Sequence, residues 1–239
     1  MVFLFGLGSD LINICSNYRM YIPSHFLETD PGKITQFIKT HPLGLMVAYV
    51  DGELVGNHLV FMASNENIVV GSKLISHTAK ANPIWKIGEK KQKVLLVFSG
   101  YEAYISPSSY PTKKETHKVV PTYNYLSVHI NGTLSAIQDE GDKHEIVKIL
   151  TDQMESSRKD PWAVSDAPKD YIEMMLANIV GVQLLVEKIE AKWKVSQNRS
   201  ARDRQGVIDD LTKNMNDSNS IGMAKEIEAL GGLKPDHQS

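Results

Sequence analysis

Apolar positions in this chain recur mainly at a spacing of two, the period of a strand with one covered face, and only in places at helical spacing. Gly44 to Val50 reads GLMVAYV, Asp51-Gly52 is a tight-turn pair, and Glu53 to Phe61 reads ELVGNHLVF, so the segment predicts a β-hairpin. Ile68 to Val70 and Lys73 to His77 suggest a second hairpin around Gly71-Ser72. Val94 to Phe98 is continuously apolar, as in a strand buried on both faces, and Glu102 to Ile105 continues it beyond Gly100. The runs YLSVHI and TLSAIQ flank Asn131-Gly132, which predicts a third hairpin. A long strand follows, with Val180, Val182, Leu184 and Val186 on one parity and Ile189, Ala191, Trp193 and Val195 on the other. That switch of parity predicts a bulge near Glu187 and Lys188.

Helical spacing appears where the strand pattern stops. Asp30 caps a helix with Pro31 in its first position, and Ile34, Phe37 and Ile38 form its apolar face. Asp142 to Ser156 carries Ile146, Ile149 and Leu150 on one face, and Asp166 to Ile179 carries Tyr171, Met174, Met175 and Ile179. Ser200 caps a helix reaching Lys213, Asn214 to Ser220 is a polar linker, and Ile221 to Leu230 forms a last helix ended by Gly231. Many short strands with few helices predict a mainly β fold, a barrel with peripheral α-helices. No GxGxxG opens a helix after a strand, which argues against a Rossmann nucleotide site.

The chain has 239 residues, 42% of them apolar, and a formal net charge of −2, values of an ordinary globular protein with no overall basic footprint for nucleic acid. Cys15 is the single cysteine, so neither an intramolecular disulfide nor a cysteine metal cluster can form, and a reducing, cytoplasmic setting is expected. The eight histidines show no ligand spacing, and no metal is expected. Residues 1–19 open with an apolar run, but no Lys or Arg precedes it and Asp10 interrupts it, which argues against a secretion signal. The run is also too short to span a bilayer. It reads as a poorly ordered extension before a main domain at 20–198 and a helical segment at 199–239.

Two segments concentrate binding chemistry. Gly100 to Tyr125 reads GYEAYISPSSYPTKKETHKVVPTYNY, a segment that Pro107, Pro111 and Pro121 are expected to keep from being helical. Its hydroxyls, lysines and tyrosines are the groups that hold a phosphate and an aromatic ring. Lys192 to Ser200 reads KWKVSQNRS, where Lys192, Lys194 and Ser196 form a polar front opposite Trp193. The two segments are expected to meet in one site. His77 and Asn82 lie where a predicted strand ends, and barrels take ligands at strand ends; Asn before Pro also initiates a turn. Of the adjacent Asn57 and His58, one must face inward and be satisfied there. His117 titrates near neutrality but has only Glu115 nearby as a carboxylate partner.

These stretches, with MYIPSHF (Met20 to Phe26), HPLGLMVA (His41 to Ala48), SHTAKANPIW (Ser76 to Trp85) and PWAVSDAPKDYIEMML (Pro161 to Leu176), resemble the PaiB family in collinear order over about Met20 to Leu211. The resemblance implies a split β-barrel of the pyridoxamine phosphate oxidase type, a homodimer binding FMN between subunits, and a role as a negative transcriptional regulator. Ser109 and Tyr123 stand where that pattern commonly has tryptophan, and Val60 where it has proline, which weakens ring stacking at 109.

An FMN site needs phosphate donors, an apolar slot for the ring and polar groups at the ring edge. Lys80, Lys113, Lys114 and Lys194 with the hydroxyls of Ser106 and Thr112 are the candidate phosphate donors, and His77, Asn82 and Ser196 complete the candidate set. Two function classes follow: an FMN-binding regulator acting through a protein or DNA partner, or an FMN-dependent oxidoreductase. The fold hosts both.

Overall fold

A computed structural model describes residues 20–63, 67–213 and 217–231; the amino-terminal extension at 1–19 lies outside the described residues. Eight strands form one antiparallel sheet: β1 (Leu27–Glu28), β2 (Leu43–Val50), β3 (Glu53–Val60), β4 (Met62–Ala63), β5 (Lys73–Ala79), β6 (Lys93–Ile105), β7 (Thr122–Ile137) and β8 (Ile179–Lys194). Their order is β3-β2-β6-β7-β8-β5-β4, with β1 added on β8. β3 passes through the fully buried Phe61 straight into β4, so the chain itself joins the two ends of that order. The sheet curls without hydrogen-bonding shut, which makes it a split β-barrel.

Alternation fills the interior. Met46, Leu96, Phe98, Val128, Ile130, Leu134, Val182 and Leu184 are fully buried on one side of the sheet. β6 is covered on that face only: Val94, Leu96 and Phe98 are buried, whereas Leu95 and Val97 are half-buried. The helices are α1 (Pro31–Thr40), α2 (Lys86–Glu89), α3 (Lys113–Thr116), α4 (Glu140–Glu155), α5 (Lys169–Ala177), α6 (Ala201–Lys213) and α7 (Ser218–Ala229). Asp30 caps α1 as predicted, accepting the N–H groups of Gly32 and Lys33 at 2.7 and 3.1 Å. Ser200 accepts the Asp203 N–H at 3.1 Å at the start of α6. Val207 and Leu211 of α6 and Met223 and Ile227 of α7 belong to the main hydrophobic core.

The Asp51-Gly52 hairpin forms as predicted, with both residues at positive φ (50° and 93°), and so does the bulge on β8. Asn131 pairs with Lys188 and Gly132 with Val186, leaving Glu187 as the extra residue. The hairpin predicted at Asn131-Gly132 is absent. β7 runs straight through the pair because both flanking runs find partners in register, on β6 and on β8. The glycine serves the bulge: a Cβ there would meet the Leu185 carbonyl oxygen at 2.2 Å. Ile68 to Val70 also forms no strand. Ile68 is buried with its N–H donating to the Thr35 hydroxyl at 2.8 Å, and β5 takes its partners from β4 and β8. On α5 the expected apolar face is reversed, since Leu176 is buried while Tyr171, Met174 and Met175 are exposed, and Ile179 opens β8.

Candidate functional site

The segment joining β6 to β7 begins with a 3₁₀ turn at Pro107–Ser109, capped by Ser106, whose hydroxyl accepts the Ser108 N–H at 3.1 Å. Between Pro111 and Pro121 there is room for one α-turn, and α3 occupies it before His117 ends it at φ 55°. The prolines thus exclude a long helix but not this short one. α6 holds the segment down. Thr112 donates its N–H and hydroxyl to Asp203, Ser109 donates its hydroxyl to Asp210 at 2.5 Å, and Arg202 pairs with Glu115. Gly206 permits this approach, since a Cβ would meet the Ser109 carbonyl oxygen at 2.2 Å.

The segment meets the end of β8, as the sequence suggested. Tyr125 pairs with Lys194, and the Asn124 amide donates to the Ser196 hydroxyl at 2.9 Å. Ser196 is buried at φ 63°, a left-handed conformation unusual for a residue with a side chain. The Lys194 ammonium donates to the Thr122 hydroxyl and the Tyr123 carbonyl. Lys192 is buried, donates to the Tyr21 carbonyl at 2.9 Å and lies 5.1 Å from the Tyr125 ring. Arg199 sits 4.7 Å from the Tyr110 ring. Burial pushes Lys194 below the ordinary lysine value, and the charges of Lys192 and Arg199 push it further. The buried Tyr110 hydroxyl completes no hydrogen bond, although Arg199 and Ser196 lie close by. Three cations and an unpartnered hydroxyl therefore stand close together at the end of β8, an arrangement an anion would relieve. Lys113 donates to the Ser108 hydroxyl at 3.1 Å within the proline-rich segment, and Lys114 is exposed on the same turn.

His77, Lys80 and Asn82 lie elsewhere. His77 pairs with Gly181 near the start of β8, thirteen positions from Lys194. Asn82 fulfils the turn role: it accepts the Ile84 N–H at 3.1 Å and donates to Asn57 at 2.8 Å, which also satisfies Asn57. His77 is half-buried with Nδ1 unpartnered, and burial lowers its pKa. The Lys80 side chain is exposed. Tyr110 is one of the four tyrosines, with Tyr104, Tyr123 and Tyr125, that the sequence offers for an aromatic ring, but not as a phosphate donor; Arg199 is absent from the candidates, although its signal was present in the QNRS turn.

This geometry defines a split β-barrel with peripheral helices. Residues 20–188 match a family described as "Putative FMN-binding domain". The chain is 32% identical over 211 residues to the Bacillus subtilis protein named Protease synthase and sporulation protein PAI 2, covering 87% of this chain and 97% of that one. It is 30% identical over 261 residues to an uncharacterised protein of Aspergillus fumigatus, covering 90% and 99%. Among solved structures, the FAD and heme binding protein of Mycobacterium smegmatis superimposes with a TM-score of 0.52 at 16% identity, over 70% of this chain and 72% of that one, a likeness of fold alone. The chain belongs to the PaiB family of FMN-binding proteins.

Proposed function

We propose that this protein is a homodimeric, FMN-binding regulator in which each flavin spans two subunits. The supporting observation is the separation along β8: the cationic cluster of Lys192, Lys194 and Arg199 lies at one end and the His77 to Asn82 turn at the other. At about 3.3 Å per strand residue, that span exceeds one mononucleotide. In this reading the cluster takes the phosphate, with the Tyr110 hydroxyl as a further donor and Lys113 and Ser106 contributing from the proline-rich segment. The partner's turn meets the ring edge through His77 and Lys80. Thr112 positions the segment through Asp203 rather than contacting the ligand. The half-buried Leu95 and Val97 and the exposed Leu43, Tyr49 and Leu54 on neighbouring strands supply apolar surface for a subunit contact.

A regulatory output, through a protein or DNA partner, draws on the relative's name, which links it to protease synthesis and sporulation. The net charge of −2 favours an indirect route over direct DNA contact. FMN-dependent oxidoreduction is the competing reading, favoured by His77: a neutral imidazole with a free nitrogen at the ring edge could carry a proton. When bound, FMN would supply the redox chemistry. Protein incubated with FMN and desalted should retain flavin absorption and scatter light as twice the 26.7 kDa chain. As a regulator it should show no FMN-dependent oxidation of NADH or NADPH; steady oxidation would establish the enzyme instead.

A further inference from the structure

Successive side chains of a strand point to opposite faces, so Trp193 faces away from Lys192 and Lys194. It faces a separate cleft of about 400 Å³ between α1, β6, β8 and α7. The wall of this cleft is a row of rings. Trp193 lies 5.1 Å from Phe37, Phe37 stacks on His41 at 4.8 Å, and His41 meets Tyr101 edge-on at 5.1 Å.

Two carboxylates border these rings, and they differ. Glu28 is occupied: it accepts the N–H groups of Thr29 and Asp30, each at 2.8 Å, and pairs with Lys33 at 3.3 Å. Glu226 on α7 lies beside the Trp193 indole and has no ion pair among the described residues. Burial raises its carboxyl above the ordinary range, against the opposing pull of Trp193, His41 and Lys33.

We infer that this cleft binds an organic ammonium ion with an apolar body, its N–H groups on Glu226 and its carbon skeleton against Phe37, Tyr101 and Trp193. The ring faces attract a cation, and the carboxylate gains a charge-assisted partner. A neutral apolar ligand would bury Glu226 without compensation, and an anion would be repelled by it. The volume falls in the range of small-molecule sites. The inference is independent of the flavin reading, because the lining of the cleft includes none of Lys192, Lys194, Arg199 and Tyr110 and lies on the opposite face of β8.

Calorimetric titration of the full chain, loaded with FMN and also flavin-free, with 2-phenylethylammonium and with 2-phenylethanol tests it. The ammonium should bind about tenfold tighter than the alcohol, as expected for a charge-assisted contact. Glu226→Gln should remove that preference while leaving flavin absorption unchanged. Equal affinities for the two compounds, or unchanged ammonium affinity in Glu226→Gln, would overturn the assignment, as would no saturation by the ammonium up to roughly 10 mM, the weak end of recognition. Should Glu226→Gln fail to fold, the comparison of amine with alcohol on the unaltered chain decides.

Discussion

Thr112 gives its backbone N–H and its hydroxyl to one buried carboxylate, that of Asp203, at 3.2 and 2.9 Å across 91 positions of chain. This clamp fixes the proline-rich segment to α6 and so sets the position of Tyr110 beside Arg199. Asp203→Ala should cost about 1.5–3 kcal/mol of stability, the range for hydrogen bonds to a charged group. FMN affinity should fall with it. Chemical denaturation checks the first and flavin titration the second; an unchanged midpoint and affinity would show that the clamp does not position the site.

Lys194→Ala should weaken FMN binding about 10- to 100-fold, the equivalent of roughly 1.5–3 kcal/mol for a charged hydrogen bond. Riboflavin, which lacks the phosphate, should bind both proteins alike. Because the folded-state value of Lys194 lies below 10.5, the ammonium loses its charge earlier than a free lysine as pH rises. FMN affinity should therefore decline before pH reaches 10.5 while riboflavin affinity stays level. A parallel decline for both ligands would remove the phosphate from this lysine.

His77 reports on the other end of β8. Its value in the folded chain lies below 6.5, so folding opposes its protonation. The associated stability is fully present above pH 6.5 and is lost as pH falls through 6.5 toward the folded value. Melting temperature should drop between about pH 7 and pH 5, and His77→Gln should flatten part of that slope. The remainder should persist through His129, also lowered by burial. An identical slope in the variant would contradict this assignment.

Gly132→Ala should destabilise the barrel by about 2 kcal/mol or more, because the added methyl meets a backbone oxygen at 2.2 Å that no side-chain rotation can move. Calorimetric melting measures it. An alanine variant melting with the unaltered protein would mean that the β7–β8 bulge rearranges freely.

Strand parity revealed more of this molecule than turn residues did. The switch from Val186 to Ile189 located the β8 bulge, and Asp30-Pro31 located α1, because both signals are local. Asn131-Gly132 misled because a hairpin signal assumes that the flanking runs have only each other as partners; β6 and β8 supplied better ones. On α5, tertiary placement exposed Tyr171 and Met174, which periodicity alone assigns inward. At the site, composition identified the two segments that meet around Lys194, but which hydroxyls are already engaged depends on Asp203 and Asp210, whose approach is non-local. The pairing of Asn82 with Asn57 was equally invisible to spacing.

The shared site is tested most directly by the flavin content of a mixed dimer. Chains carrying Lys194→Ala and chains carrying His77→Ala with Lys80→Ala are co-expressed under different tags, purified through both tags and loaded with FMN. Each variant alone has two impaired sites, whereas the mixed dimer has one site free of substitutions and one carrying them all. The account predicts retained FMN near half that of the unaltered dimer, with either variant alone close to none. Flavin content in the mixed dimer no higher than in the variants would contradict a site built from two subunits.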